Sequence, residues 1–244
     1  MANDRTTPTK PAGSKPAEGN VRPEIAEFLD RVKSLGPAQT GGKRGRLIFA
    51  LDATMSRQPT WDSACQLQAD MFKTVKMVGG LDVQLVYFRG FNECQASKWV
   101  SDPDALARLM RKVSCQGGFT QISKVLSHAR RESEAAKVNA LVYVGDCMEE
   151  DVDQLSQLAG ELGLIGVPVF LFQEGREPKA ERAFREIARL SRGAYCPFDA
   201  GSAKQLRELL TAVAVYATGG RKALKDFSDE TKSGAALRLL EQLG

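Results

Sequence analysis

The sequence predicts an α/β protein with a doubly wound, mostly parallel six-stranded sheet, one antiparallel edge strand and helices on both faces. From residue 46 onward, short apolar runs alternate with longer amphipathic runs, which is typical of strands joined by helices. In most of these apolar runs, polar residues do not occupy alternate positions, which indicates strands buried on both faces. Residues 90–93 separate two of the strand runs and are too few for a crossover helix, so these strands must form a hairpin.

The predicted elements follow one another in regular order. The strands are predicted at residues 46–52, 82–89, 94–100, 140–146, 168–173 and 194–198. The helices are predicted at residues 60–77, 103–113, 121–137, 151–163, 178–192 and 202–217, with a last amphipathic helix at 222–243. The polar side chains of Gln95, Ser97 and Lys98 suit an exposed edge, so strand 94–100 is predicted to be the antiparallel edge strand.

Four segments are expected along the chain. Residues 1–22 are rich in proline, glycine, threonine and lysine and are predicted to be a disordered tail. Residues 23–45 contain a short amphipathic helix and a Gly/Pro linker. The α/β domain is expected to span residues 46–218, and residues 219–244 are expected to form a C-terminal helical extension.

Composition and charge exclude several classes of protein. No apolar run approaches the roughly 20 residues that cross a bilayer, and no signal peptide opens the chain, so no membrane partner is expected. The net charge of +4 belongs to the first 46 residues, which leaves the folded part without the basic excess that nucleic-acid binding requires. The five cysteines form no C-x-x-C pair, which favours reduced thiols and a cytoplasmic location.

A short polar motif follows the first predicted strand. Asp52, Thr54 and Ser56 alternate with apolar residues directly after the run 47–51. Ligand sites of open α/β sheets form at the carboxyl ends of the strands. One carboxylate and two hydroxyls are hard oxygen donors with little charge, which suits a small divalent cation such as Mg²⁺. Short strings of Asp, Ser and Thr are also common in turns, so this motif alone is a weak signal.

Two further loops are expected to bring oxygen donors to the same edge of the sheet. Thr120 follows a Gly-Gly-Phe sequence, and Asp146 ends strand 140–146. Loops after neighbouring strands converge in a doubly wound sheet, so Asp52 and Asp146 are expected to face each other. Each residue also has a simpler interpretation: Thr120 as an N-cap of its helix, and Asp146 as a cap of the turn after its strand. The conjunction of the three loops favours a cation site.

With these loops the sequence resembles a von Willebrand factor type A (VWA) domain carrying a metal-ion-dependent adhesion site. The signature of that family is D-x-S/T-x-S after the first strand, a distant Thr after a Gly-rich loop, and an Asp after the fourth strand. The order of elements from about residue 46 to 218 is similar as well, so the resemblance implies the Rossmann-like VWA fold. The residues that it identifies as metal-site residues are Asp52, Thr54, Ser56, Thr120 and Asp146.

The resemblance implies binding rather than catalysis. In such sites hydroxyls and waters contact Mg²⁺, Mn²⁺ or Ca²⁺, and the aspartates often lie behind them, so the under-neutralised cation attracts a carboxylate. The expected function is an intracellular, non-enzymatic module that binds an acidic side chain of a partner protein through the metal. The residues expected on the rim of that interface are Arg57, Trp61, Phe119, Glu149 and Glu150.

Several rim and loop residues have alternative interpretations. Trp61 and Phe119 are equally consistent with core packing. Glu149 and Glu150 would raise the local negative charge and discourage acidic partners. Cys147 stands where relatives of the VWA family usually have Gly, and a thiolate suits softer metals better than Mg²⁺. The simpler interpretation of Cys147 is a small buried side chain.

Two other functions remain open from the sequence. Asp52 and the Gly145-Asp146 pair also resemble haloacid-dehalogenase-like phosphohydrolases, which use a nucleophilic Asp with Mg²⁺. Those enzymes usually have a second Asp two residues after the nucleophile, where this chain has Thr54. The other alternative is a scaffold whose metal motif is vestigial and which docks through its terminal helices.

Overall fold

The computed structural model describes residues 44–57, 81–199 and 202–243. The predicted tail, the helix within residues 23–45 and the helix at 60–77 lie outside the described residues. Within them, the strands are β1 (Gly45–Asp52), β2 (Leu81–Arg89), β3 (Glu93–Ala96), β4 (Ala140–Gly145), β5 (Val169–Glu174) and β6 (Ala194–Phe198). The helices are α1 (Pro103–Met110), α2 (Ile122–Ala135), α3 (Val152–Leu164), α4 (Pro178–Ser191), α5 (Ala203–Thr231) and α6 (Gly234–Gln242).

The six strands form one sheet in the order β3-β2-β1-β4-β5-β6. Only the β2–β3 pair is antiparallel, and the other neighbouring pairs are parallel. The predicted fold class, including the hairpin at one edge, is confirmed. Because β1 lies between β2 and β4, its carboxyl end is flanked by the carboxyl ends of two parallel strands.

Alternate residues of the strands enter two separate cores, one on each face of the sheet. Leu47, Phe49 and Leu51 of β1 pack in the core covered by α1, α5 and α6. Ile48 and Ala50 pack in the core covered by α2, α3 and α4. Burial of both faces explains why the central strands are apolar without alternation. The two cores hold the carboxyl end of β1 in a fixed position.

The edge strand is shorter than predicted. β3 ends at Ala96, and further along the chain only Val100 forms a bridge, to Val83. The strand ends early because a side chain replaces a main-chain partner. The Leu85 N–H donates to the Ser97 hydroxyl at 3.0 Å, where a main-chain carbonyl would accept in a regular ladder. The strand ladder is thereby interrupted at Ser97.

The C-terminal helices also differ from the prediction. The helix predicted to end at 217 continues as α5 to Thr231, with a kink at Gly220, whose φ is 67°. The helix predicted at 222–243 is divided because Lys232 adopts a left-handed conformation, with φ of 49°. The Ser233 hydroxyl then accepts a hydrogen bond from the Ala236 N–H at 3.3 Å and begins α6.

Helix α6 completes the far edge of the sheet. Its Leu239 is buried in the core beneath β1 and β6. The Gln242 side chain accepts a hydrogen bond from Tyr195 N–H at 2.8 Å and donates one to the Tyr195 carbonyl at 3.0 Å. One side-chain amide thus pairs with edge strand β6 as a neighbouring strand would. The boundary proposed at residues 218–219 stays a prediction, although α6 packs on the same core as the strands.

Substitution of Leu239 is expected to destabilise the whole domain. Leu239→Ala removes a fully buried side chain and should lower the free energy of unfolding by about 2–4 kcal/mol. Leu237→Ala, two positions away on α6 and 52% exposed, is the matched control and should change it by less than about 0.5 kcal/mol. Urea unfolding monitored by circular dichroism measures both. Equal, small effects would show that α6 is dispensable.

Candidate metal centre

The loop after β1 places two hydroxyls next to a buried carboxylate. Asp52 is fully buried, and its Oδ1 accepts a hydrogen bond from the Thr54 N–H at 2.8 Å. This bond closes a tight turn, which leads into a 3-10 helix at Met55–Arg57. The turn brings Thr54 Oγ1 within 3.1 Å of Ser56 Oγ. Thr54 is buried and Ser56 is exposed, so the pair of hydroxyls runs from the interior to the surface.

The loop before α2 is tied to the loop after β4 through Thr120. The Thr120 N–H donates to the Glu149 carboxylate at 2.9 Å, and the Thr120 hydroxyl accepts from the Glu149 N–H at 3.1 Å. Thr120 does not cap its helix. The N-cap is Gln121, which makes no side-chain capping bond. The buried Thr120 hydroxyl is instead held beside the end of β4.

Glu149 and Glu150 connect loops in this structure. The Glu150 carboxylate accepts hydrogen bonds from the main-chain N–H groups of Ile122 and Ser123, the latter at 2.9 Å. It therefore satisfies donors in the first turn of α2 and interacts favourably with the helix dipole. Glu149 is exposed and Glu150 half-buried, but the carboxylates of both are engaged with the α2 loop. Their main visible role is to fix Thr120 in place.

Asp52, Asp146 and Cys147 form a compact cluster at the ends of β1 and β4. One carboxylate oxygen from each aspartate and the Cys147 sulfur all lie within 4.8 Å of one another. Asp52 Oδ2 and Asp146 Oδ1 are buried atoms that have no hydrogen-bond partner within the described residues. A buried charge is costly unless it is paired or bound to a cation. The donor set therefore fits a cation between these two strand ends.

The electrostatics of the cluster reflect burial and mutual repulsion. Burial raises the pKa of Asp52 to about 6, the hydrogen bonds from Thr54 counteract this, and the charge of Asp146 adds to the rise. Burial, with the charges of Asp146 and Asp52, also raises the pKa of the Cys147 thiol. Both effects are those expected of anionic groups buried close together, and the charge of Arg57 offsets only part of the rise at Asp52.

Arg57 lies inside the domain, not on the rim where the sequence analysis expected it. Its guanidinium is 1% exposed and forms an ion pair with Glu174 at the end of β5. The carboxylates of Asp146 and Asp52 also act on Arg57, although burial lowers its pKa. Glu174 was not identified from the sequence. A polar pair, Gln173-Glu174, at the end of an otherwise apolar strand was the available signal.

An exposed apolar patch borders the cluster. Phe119 is 56% exposed and Phe91 78% exposed, and their rings meet edge to face with centroids 5.6 Å apart. Met55, in the loop after β1, is 53% exposed. Phe119 thus lies on the surface, and its role on the rim of an interface stays a prediction. Trp61 lies outside the described residues. Phe91, in the β2–β3 turn, was missed because an isolated aromatic in a turn gives no signal without its neighbour.

The two phenylalanines meet because a glycine lets two loops touch. A Cβ atom at Gly118 would lie only 1.9 Å from the Gly90 carbonyl oxygen. The Phe119 N–H donates to that same oxygen at 3.2 Å. Any side chain at position 118 would separate the loops. The glycine therefore sets both the aromatic pair and the approach of Thr120 to the cluster.

Comparison with known proteins finds likeness in fold only. No protein-family model matches the sequence, and no curated protein sequence matches it. An aerotolerance-related membrane protein from Bacteroides fragilis superimposes with a TM-score of 0.55 at 18% identity, covering 70% of this chain and 98% of that one. The SpRpn10 VWA domain superimposes with a TM-score of 0.56 at 12% identity, covering 70% of this chain and 95% of that one. The human COPII-coat protein Sec24c superimposes with a TM-score of 0.53 at 12% identity, covering 72% of this chain and 32% of that one.

Among the described residues, no helix is both long enough and apolar enough to cross a bilayer.

Replacing Asp52 with asparagine is expected to stabilise the metal-free protein near neutral pH. Because burial raises the pKa of Asp52 from 3.8 to about 6, the folded state holds the proton more tightly than the unfolded chain. The tighter proton binding stabilises the folded state fully below pH 3.8. This stabilisation, about 3 kcal/mol, is lost as the pH rises through about 6. Asparagine keeps the acceptor for Thr54 N–H and carries no charge.

Urea unfolding in the presence of a chelator tests this at about pH 4.5 and about pH 7.5. The free energy of unfolding of Asp52→Asn minus that of the wild type should rise by roughly 2 kcal/mol from the lower pH to the higher one. Asp226→Asn, an exposed aspartate on α5, is the matched control and should follow the wild type. The same pH dependence in all three proteins would contradict the assignment.

Proposed function

We propose that this chain, which has the fold of a von Willebrand factor type A domain, binds a divalent cation and, through it, a carboxylate of a partner protein. The observation that carries the proposal is the pair of buried carboxylate oxygens, Asp52 Oδ2 and Asp146 Oδ1, without a partner in the described residues. A cation between them would compensate both charges at once. The cation would supply a Lewis-acidic centre to which an anionic group can bind.

The residues that would hold the cation lie in three loops. Asp52, Thr54 and Ser56 follow β1, Thr120 precedes α2, and Asp146 follows β4. The hydroxyls are neutral donors, so they leave part of the cation's charge uncompensated. Ser56 is the exposed member of the set, which makes its side the route by which a ligand from another protein would approach. Taken without Cys147, these oxygen donors suit Mg²⁺, and Mn²⁺ and Ca²⁺ are chemically similar alternatives.

A protein partner accounts for the surface around this entrance. Met55, Phe91 and Phe119 are large apolar side chains, each more than half exposed, beside loops that carry the oxygen donors. Aromatic residues and methionine are enriched in protein interfaces relative to the rest of the surface. The partner is therefore expected to present an acidic residue with apolar neighbours. Among the described residues, Cys94, Cys147 and Cys196 form no disulfide, which is consistent with a reducing, cytoplasmic setting.

The position of Asp52 favours binding over hydrolysis. A nucleophilic carboxylate must reach the substrate, but Asp52 is fully buried and its Oδ1 is engaged with the Thr54 N–H. A second acidic group for proton transfer is expected two residues further on, where Thr54 stands. These features support a non-enzymatic role rather than the phosphohydrolase alternative.

Metal-dependent capture of a partner tests the proposal. Tagged full-length protein is used to capture proteins from the native cell, with Mg²⁺ or with chelator, as wild type and as Ser56→Ala. This substitution removes an exposed donor whose visible contact is the Thr54 hydroxyl, so the fold should persist. Partners should be retained only by the wild type with Mg²⁺, and its Mg²⁺ affinity should exceed that of the variant by about tenfold.

Ser156→Ala, a half-buried serine on α3, serves as the control and should behave as the wild type. An identical set of captured proteins in every condition would contradict metal-dependent binding. Absence of Mg²⁺ binding by the wild type would contradict the cation site itself.

A further inference from the structure

Cys147 is placed where it can be a metal ligand. Its sulfur lies within 4.8 Å of a carboxylate oxygen of both Asp52 and Asp146. Each of these carboxylates has one buried oxygen without a hydrogen-bond partner among the described residues. Ligand atoms bound tetrahedrally to one zinc ion at about 2.0–2.3 Å lie ~3.5 Å apart, so small side-chain rotations would bring all three onto one ion. The sequence alone left a buried structural cysteine as the simpler interpretation.

Two features show that polar atoms of this cluster are left without hydrogen-bond partners among the described residues. Asp52 is fully buried with Oδ2 directed at no hydrogen-bond donor in the described residues. Beside the cluster, the Tyr143 hydroxyl is likewise buried without a partner there. It lies against Gly145, where a Cβ atom would be 2.5 Å from it. Several unsatisfied polar atoms beside Cys147 are poorly explained by a structural cysteine alone.

The donor set decides which cation is favoured. Hydroxyls and carboxylates suit Mg²⁺, which takes oxygen ligands in octahedral geometry. A thiolate with two carboxylates instead suits Zn²⁺, which accepts sulfur and oxygen and is commonly four-coordinate. Three protein ligands would leave one position open, as in zinc sites that bind an external group. Coordination by sulfur releases the thiol proton to solvent as the Zn–S bond forms.

We propose that Cys147 makes this site selective for a thiophilic divalent ion, Zn²⁺, over Mg²⁺, with Asp52, Asp146 and Cys147 as the protein ligands. The inference rests on the proposed cation site and specifies its metal. The hydroxyls of Thr54, Ser56 and Thr120 then remain as donors for the open side. An acidic group of a partner would occupy the fourth position on zinc.

Cobalt spectroscopy and competition titrations test the selectivity on the full-length protein. Metal-free wild type, Cys147→Ser and Cys94→Ser are titrated with Co²⁺ under a thiol-free reductant. Cys94 is a free thiol on β3 outside the cluster and is the matched control. Wild type and Cys94→Ser should develop the near-ultraviolet sulfur-to-cobalt charge-transfer band, and Cys147→Ser should not.

The affinities separate this inference from the proposed function. Cys147→Ser should bind Zn²⁺ at least about tenfold more weakly than the wild type, with its Mg²⁺ affinity unchanged within about twofold. Equal Zn²⁺ affinities, or a charge-transfer band that persists in Cys147→Ser, would overturn the role of Cys147 while leaving a Mg²⁺ site intact. Failure of the wild type to bind either ion would overturn both proposals.

Discussion

Two carboxylates are held side by side because their strands are parallel neighbours in the middle of the sheet. β1 and β4 pair in register, with Leu51 opposite Val144, so Asp52 and Asp146 emerge next to each other at the same edge. Both faces of these strands are packed in apolar cores, so Asp52 is fully buried, whereas Asp146 is half-buried with its Oδ1 shielded from water. Burial raises the pKa of Asp52, and the neighbouring charge of Asp146 adds to the rise. The case for a cation follows from the same juxtaposition.

The surrounding loops are arranged to keep the two carboxylates in place. Glu149 and Glu150 bind main-chain groups of the α2 loop, which fixes Thr120 beside the end of β4. On the opposite side, Arg57 is buried against Glu174 and acts electrostatically on both aspartates. A buried ion pair of this kind adds little net stability but fixes geometry, because leaving either charge alone would be costly. The loop after β1 is therefore anchored to β5.

The fold could be predicted from the sequence because burial on both faces produces long apolar runs and a short loop forces a hairpin. The oxygen donors were found for the same reason, since each follows a recognisable element. The orientation of Arg57 could not be predicted, because a charged residue in a surface loop normally faces water and its partner Glu174 is distant in sequence. The Phe91–Phe119 pair and the approach of Cys147 to both aspartates depend likewise on three-dimensional contacts that no local pattern records.

The other inferences depend on a divalent cation that binds between Asp52 and Asp146. Crystals of the protein grown with Mn²⁺ test this directly, because manganese gives an anomalous difference peak that identifies both the ion and its position. One strong peak is expected within coordination distance of the loops after β1 and β4, with Ser56 or Thr120 oxygens around it. A structure in which the two carboxylates are bridged by water or by protein donors, with no anomalous peak between them, would contradict it.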